Sequence, residues 1–328
     1  RPLVDDVRIL QVYPHYDHGG TETVLAMLDR EWTAAGHDVL SWLPRPTADP
    51  PAALRALTGE AYPDRWRPDA VVVHGGLVGA SDLGVSRRST GAPVVEVIHR
   101  RHPARPGATR YVAVSRAVAG VQREVACTVI PNGVDMPGPR RTREAARAAL
   151  GIDPDTLVVA RHARTAIEKG WHWTMSTMQR VWDAGVPAWL LVVGARDQPG
   201  AAVLRGWARG RPCAVASWTA NPADHLVAAD VYVETSPDEA FGLAVAEAGL
   251  LGLPAVAFAA SGVAETVGDA CPTAPVGDTA ALAGLLVDLA RDERARAEWS
   301  LRLRRRVRAR YAPALCARRY ARLLDRLR

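Results

Sequence analysis

Val231-Tyr232-Val233-Glu234, then Pro237-Asp238-Glu239-Ala240-Phe241-Gly242-Leu243-Ala244-Val245-Ala246-Glu247-Ala248-Gly249, then Gly252-Leu253-Pro254 and Ala255-Val256-Ala257-Phe258, is the stretch on which the fold turns. Two short apolar runs flank a longer helical run, which reads as strand, helix, strand. Runs this short and this continuously apolar fit strands buried on both faces of a parallel sheet.

The alternation extends both ways along the chain. Downstream of residue 150, candidate strands are Leu157 to Ala163, Ala188 to Val193 and Cys213 to Ala216, preceding the two already quoted. Upstream, Val7 to Tyr13 opens a first series. Thr21 to Ala35 follows as a helix closed by Gly36, then strands Asp38 to Leu43, Ala70 to His74, Pro93 to Ile98, Tyr111 to Val114 and Cys127 to Ile130. Between the series lies Pro131-Asn132-Gly133-Val134-Asp135-Met136-Pro137-Gly138-Pro139, whose Pro and Gly density is that of an interdomain linker. With 328 residues, the chain exceeds most single cores and suits two domains of about 150 residues. The expected architecture is α/β: two doubly wound domains, residues 1–135 and 136–310, facing across a cleft. A helix over 311–328 is expected to pack back on the first. Such domains bind ligands beyond the carboxyl ends of their strands.

Composition narrows the class. At 48% hydrophobic and 23% charged residues the chain is neither disordered nor low in complexity. The uncharged stretch Ala248 to Ala264 is broken by Gly249, Gly252, Pro254 and Gly262, too short and too interrupted to span a bilayer. No export signal stands at Arg1-Pro2-Leu3-Val4-Asp5-Asp6, so a cytoplasmic location is expected. Cys127, Cys213, Cys271 and Cys316 are too scattered for a metal or redox motif and read as buried thiols. Residues 290–328 hold 14 Arg against 4 acidic residues, which accounts for all of the chain's positive excess. That tail carries Trp299, Leu303, Val307, Tyr311 and Leu315 on one stripe and breaks at Pro313. It reads as a domain helix with a solvated basic back, or as a peripheral contact to an anionic membrane face. No nucleic-acid motif accompanies it. Of the 41 basic residues 40 are Arg, so the sole lysine, Lys169, is a candidate for a specific role.

Glu239 and Glu247 are separated by seven residues across a strand-to-helix transition. On one helix they would stand about 12 Å apart along the axis, more than an acid/base carboxylate pair uses. Separate grips on one ligand fit better.

The spacing from Glu239 to Glu247 resembles the E-x7-E motif of retaining GT-B glycosyltransferases of family four, which have two Rossmann-like domains. Four other segments agree in order. Gly19-Gly20-Thr21-Glu22 resembles the family's early Gly-Gly loop, Gly36-His37-Asp38-Val39 its GHEV step, and Ile130-Pro131-Asn132-Gly133-Val134-Asp135 its IPNGVD linker. Arg164 to Gly170 resembles its GR…KG motif, although Ala163 stands where a Gly is expected and Arg161 offers a second alignment.

The resemblance implies a hexosyl transferase using a nucleotide-diphosphate sugar, with no cofactor and no metal. Its acceptor would be a small molecule, a glycolipid or a cell-wall precursor. His99, Arg164, Lys169 and Glu239 would be the catalytic residues, with His99 and Glu239 near the transferred sugar. The donor would be held by Gly19, Gly20, Arg164, Lys169, Ser217, Trp218, Phe241, Gly242, Leu243 and Glu247. Arg164 and Lys169 would meet the diphosphate, and Glu247 the ribose hydroxyls. Charge-assisted bonds of this kind contribute about 1.5–3 kcal/mol each. The base, sugar and acceptor stay open.

Rival readings also have residues behind them. His15, Asp17 and His18 could hold a metal by composition. Val71-Val72-Val73-His74-Gly75-Gly76-Leu77-Val78-Gly79, with Glu96 20 residues after Gly76, resembles a dinucleotide fingerprint without the G-x-G-x-x-G spacing. Within the GT-B fold, a sugar-nucleotide epimerase, a glycosyl phosphorylase or a non-catalytic membrane-docked protein is the alternative.

Overall fold

The computed structural model describes residues 7–14, 19–46, 49–50, 54–59, 66–75, 79–104, 106–196 and 199–327. His15, Asp17, His18, Gly76, Leu77 and Val78 lie outside them. The chain forms two compact units, Arg1–Val134 with Tyr311–Arg328, and Asp135–Arg310.

The first unit is built on a parallel sheet of β1 (Arg8–Val12), β2 (Asp38–Leu43), β3 (Ala56–Thr58), β4 (Ala70–Gly75), β5 (Val94–Ile98), β6 (Arg110–Ala113) and β7 (Cys127–Val129), in the order β3-β2-β1-β4-β5-β6-β7. The second holds β8 (Leu157–His162), β9 (Ala188–Ala195), β10 (Cys213–Ser217), β11 (Val231–Glu234), β12 (Ala255–Phe258) and β13 (Thr273–Ala274), in the order β10-β9-β8-β11-β12-β13. Both orders reverse direction beside their first strand, between β1 and β4 and between β8 and β11. Such a switch point opens a crevice at the carboxyl ends of those two strands. β3 and β13, with 3 and 2 residues, are the strands that the periodicity does not reveal. Each is defined by pairing with a neighbour, Ser41 with Ala56 and Phe258 with Ala274, rather than by its own pattern.

Strand residues buried on both faces form the cores: Leu10, Val12, Val71, Val73 and Val94 in the first unit, and Val159, Leu190, Val192, Val233 and Val256 in the second. Each such side chain contributes about 1.5–3 kcal/mol of burial. The arginine-rich tail resolves into two helices. Glu293–Arg310 belongs to the second unit and buries Leu303 and Val307. Leu303 packs where a Cβ on Gly249 would come within 2.7 Å of it. Pro313 starts a new helix, Pro313–Asp325, whose ring Tyr320 meets Trp32 edge-on at 5.9 Å in the first unit. Cys271 and Cys316 are buried thiols, but Cys127 and Cys213 are only partly covered, since each lies on a short strand at its sheet's edge. No described helix is long and apolar enough to cross a membrane.

One buried acid carries a pH signature. Asp29, on the Gly20–Ala34 helix, has Oδ2 enclosed without a hydrogen bond. Burial raises its pKa from 3.8 to about 6, against a smaller lowering influence of the nearby Ser41 hydroxyl. Between those values the folded chain keeps a proton that the unfolded chain releases, so stability falls as pH rises through that window. Asp29→Asn removes this slope. The expected result is a Tm higher by about 2–4 °C at pH 7 and unchanged below the lower pKa, read by thermal melts across pH.

Candidate functional site

Two consecutive residues of β8 organise the second unit. Successive side chains of a strand point to opposite faces, and Arg161 and His162 each reach a different element.

Arg161 is fully buried. One of its amino groups bonds Thr174 Oγ1 at 2.6 Å, and the other bonds Glu234 Oε1 at 3.1 Å, Ser236 Oγ at 3.2 Å and the Lys169 carbonyl. The guanidinium lies 4.5 Å from the Trp171 ring centre. Burial by itself would raise the Glu234 carboxyl pKa, but the Arg161 charge and the Ser236 amide and hydroxyl hold it below the usual range. Arg161 is therefore a strut inside the fold. Being fully enclosed, it is no ligand for a phosphate, and of the two alignments Arg164 is the accessible one.

The strut sets Lys169. Ile167–Lys169 is one turn of 3-10 helix, closed by Gly170 at φ +66, which also opens the Trp171–Asp183 helix. A Cβ on Gly170 would stand 2.4 Å from the Thr235 carbonyl oxygen and 2.8 Å from Trp173. No other residue fits there. Lys169 Nζ is held 2.5 Å from Glu239 Oε1, with both side chains about one-fifth exposed. Arg164 lies apart from this pair, 3.2 Å from Glu168 and substantially exposed.

Glu239 precedes the Leu243–Leu250 helix rather than riding on it, so the two glutamates do not share one axis. Gly242, at φ +92, is the N-cap and offers no side chain to the first turn. Its amides are thus left to an anion in the usual manner of helix N-termini. The loop is pinned from behind: Gly262 donates to the Glu239 carbonyl at 2.9 Å, and Thr266 Oγ1 donates to the Phe241 carbonyl at 2.6 Å. Phe241 is buried and Leu243 half-buried. Gly242 is three positions after Glu239, a reach of roughly 11 Å at most, so Lys169 and the helix start share one corner. Glu247, one turn further on, has Oε2 2.9 Å from His162 Nε2.

Ser217 ends β10, and Trp218 follows, partly exposed, with the Arg196 guanidinium 4.9 Å from its ring. In the first unit, Gly19 caps the Gly20–Ala34 helix without a side chain, its carbonyl taking the Thr23 amide at 3.2 Å. His99 follows β5, half-buried, 3.0 Å from His74. The dinucleotide reading meets an obstacle here. Glu96 is enclosed, its Oε2 accepting the Ala80 amide at 3.0 Å, and a Cβ on Gly79 would lie 2.5 Å from its carboxylate. That acid closes its own glycine loop. Among the described residues, no group of three metal-ligating side chains occurs.

The sequence does not single out Glu234, Ser236, Thr174 or His162, and it offers Arg161 only as a second alignment for a phosphate ligand, not as a strut. A detectable signal exists: Arg161 and Glu234 are charges inside otherwise apolar central strands, and a buried charge needs a partner.

Comparison with known proteins agrees with this architecture. Residues 153–292 match the family model described as Glycosyl transferases group 1. It is 34% identical over 182 residues to a D-inositol 3-phosphate glycosyltransferase of Segniliparus rotundus, a match covering 52% of this chain and 37% of that protein. The chain thus spans little more than a third of that relative's length. It is 26% identical over 314 residues to a GDP-mannose-dependent alpha-(1-6)-phosphatidylinositol dimannoside mannosyltransferase of Mycobacterium tuberculosis, covering 80% and 82% of the two chains. Anabaena Alr3699/HepE, solved with UDP and glucose, shares the fold at a TM-score of 0.81 and 17% identity, covering 98% of this chain and all of that one.

Gly170→Ala adds a methyl group against the Thr235 carbonyl and strains a left-handed residue. The expected loss is about 1–3 kcal/mol, read as a lower denaturant midpoint at unchanged m-value, with Gly138→Ala, in open space, as the neutral control.

Proposed function

We propose that the protein is a retaining, metal-independent glycosyltransferase that moves a hexosyl group from a nucleotide-diphosphate sugar to an acceptor hydroxyl. The observation that carries this reading is the corner where Lys169, paired with Glu239, stands beside an uncapped helix start whose Glu247 is held by His162.

Transfer requires a leaving group that gains negative charge as the bond from the anomeric carbon to the diphosphate oxygen breaks. Lys169 Nζ, released from Glu239, would meet that charge together with the amides of Phe241, Gly242 and Leu243. Arg164, substantially exposed beside Glu168, would close on the same phosphates. Donors held in place before the charge develops lower the barrier most, because they need no reorganisation. Glu239, freed from the ammonium, would accept a hydroxyl of the sugar. Glu247 has Oε1 available beyond its bond to His162 and would take the ribose hydroxyls. Ser217 and Trp218 would flank the base. With retention, the acceptor hydroxyl attacks on the leaving-group side and passes its proton to the departing phosphate oxygen. The relatives' names favour UDP or GDP donors, and their inositol-phosphate and phosphatidylinositol acceptors favour a polar or glycolipid acceptor. A cytoplasmic enzyme whose arginine-rich tail touches the inner membrane face suits the latter.

Lys169→Ala is expected to lower turnover about 10²–10³-fold, as loss of one such donor does, with thermal stabilisation by UDP or GDP reduced; turnover equal to the unaltered chain would overturn the assignment. Glu247→Ala is expected to raise the donor KM about 10- to 100-fold while changing kcat less, since a ribose contact is made equally in ground and transition states. Sedimentation with anionic vesicles tests the tail: binding that weakens with salt supports membrane contact, and no binding at low salt removes it.

A further inference from the structure

The first unit carries a buried line of hydrogen bonds with a fixed direction. Gln11 on β1 and His74 on β4, the strands flanking the switch point, are both fully buried. Gln11 Nε2 donates to the Leu25 carbonyl at 3.3 Å, Gln11 Oε1 lies 2.9 Å from His74 Nε2, and His74 Nδ1 lies 3.0 Å from His99 Nε2. The two rings stack with centres 5.3 Å apart.

A backbone carbonyl can only accept, so Leu25 fixes which end of the Gln11 amide faces it. The amide oxygen therefore faces His74 and demands a proton on His74 Nε2. Burial holds the His74 pKa well below its usual value and brings that of His99 to about 3, so each ring is neutral and carries one proton. His74 Nδ1 is then a bare acceptor, and the proton between the rings belongs to His99 Nε2. The remaining nitrogen, His99 Nδ1, is left with a lone pair, and among the described residues no hydrogen bond occupies it.

We infer that Gln11 and His74 are positioning residues that lock His99 in its Nε2–H tautomer, making His99 Nδ1 a dedicated acceptor for a hydroxyl of the bound substrate. That the hydroxyl belongs to a sugar rests on the transferase reading; the tautomer does not. An uncharged, acceptor-only nitrogen takes a hydroxyl and rejects a carboxylate or phosphate oxygen, whose lone pairs would face its own.

The test is long-range 1H–15N correlation spectroscopy of the full chain labelled at its nine histidines, with His99 assigned by its loss in His99→Asn. The expected spectrum has a protonated Nε2 and a pyridine-type Nδ1 at His99. Gln11→Met, which keeps the volume but has no amide oxygen, should shift His99 to a tautomer mixture and lower kcat about tenfold with donor KM nearly constant, the order of effect of a lost orienting bond on a metal-bound histidine. A proton on His99 Nδ1 in the unaltered chain, or an unmoved tautomer in a folded Gln11→Met, overturns the inference. If Gln11→Met does not fold, the unaltered spectrum decides alone. A chain inactive toward every nucleotide sugar would sink the transferase reading while leaving the tautomer result intact.

Discussion

The second unit depends on a guanidinium buried where β8 and β11 diverge. Arg161 and Glu234 beside it are both enclosed. Removing either partner would strand the other in a low-dielectric interior, a cost of about 3–5 kcal/mol for a broken buried pair. The same guanidinium also takes the Lys169 carbonyl, the Ser236 hydroxyl and Thr174. One side chain thereby ties the strand, the lysine turn, the following helix and the loop leading to Glu239 into one arrangement.

Glycines let those parts come together. Gly170 brings the lysine turn against the Thr235 carbonyl, and Gly262 lets its helix approach the Ala240 carbonyl, where a Cβ would stand 2.2 Å away. The loop from Glu239 to Gly242 is thus gripped on both sides. In the transfer proposed above, such a support would present positive charge before the reaction creates the negative charge it meets.

Much of the fold is legible in the amino-acid order because parallel strands covered on both faces must be continuously apolar. Val231–Glu234 and Ala255–Phe258 are bounded identically in sequence and in structure. Short pieces are not legible: β3 and β13 have no room for a pattern. The glutamate spacing is legible as a spacing, yet whether the two share a helix is not. Gly242 ends the loop after Glu239, and only the close approach of Val263 to that glycine explains where the helix starts.

The residues by themselves determined the alternation of strand and helix, the two-series organisation and the identity of the charged groups available for chemistry, because burial and backbone preference act locally. Tertiary structure decided which charges are structural and which remain for a ligand. Arg161 and Arg164 are three positions apart and chemically identical, but one is enclosed between strands and the other faces solvent. Partnership is a property of distance in space, and chain order does not encode it.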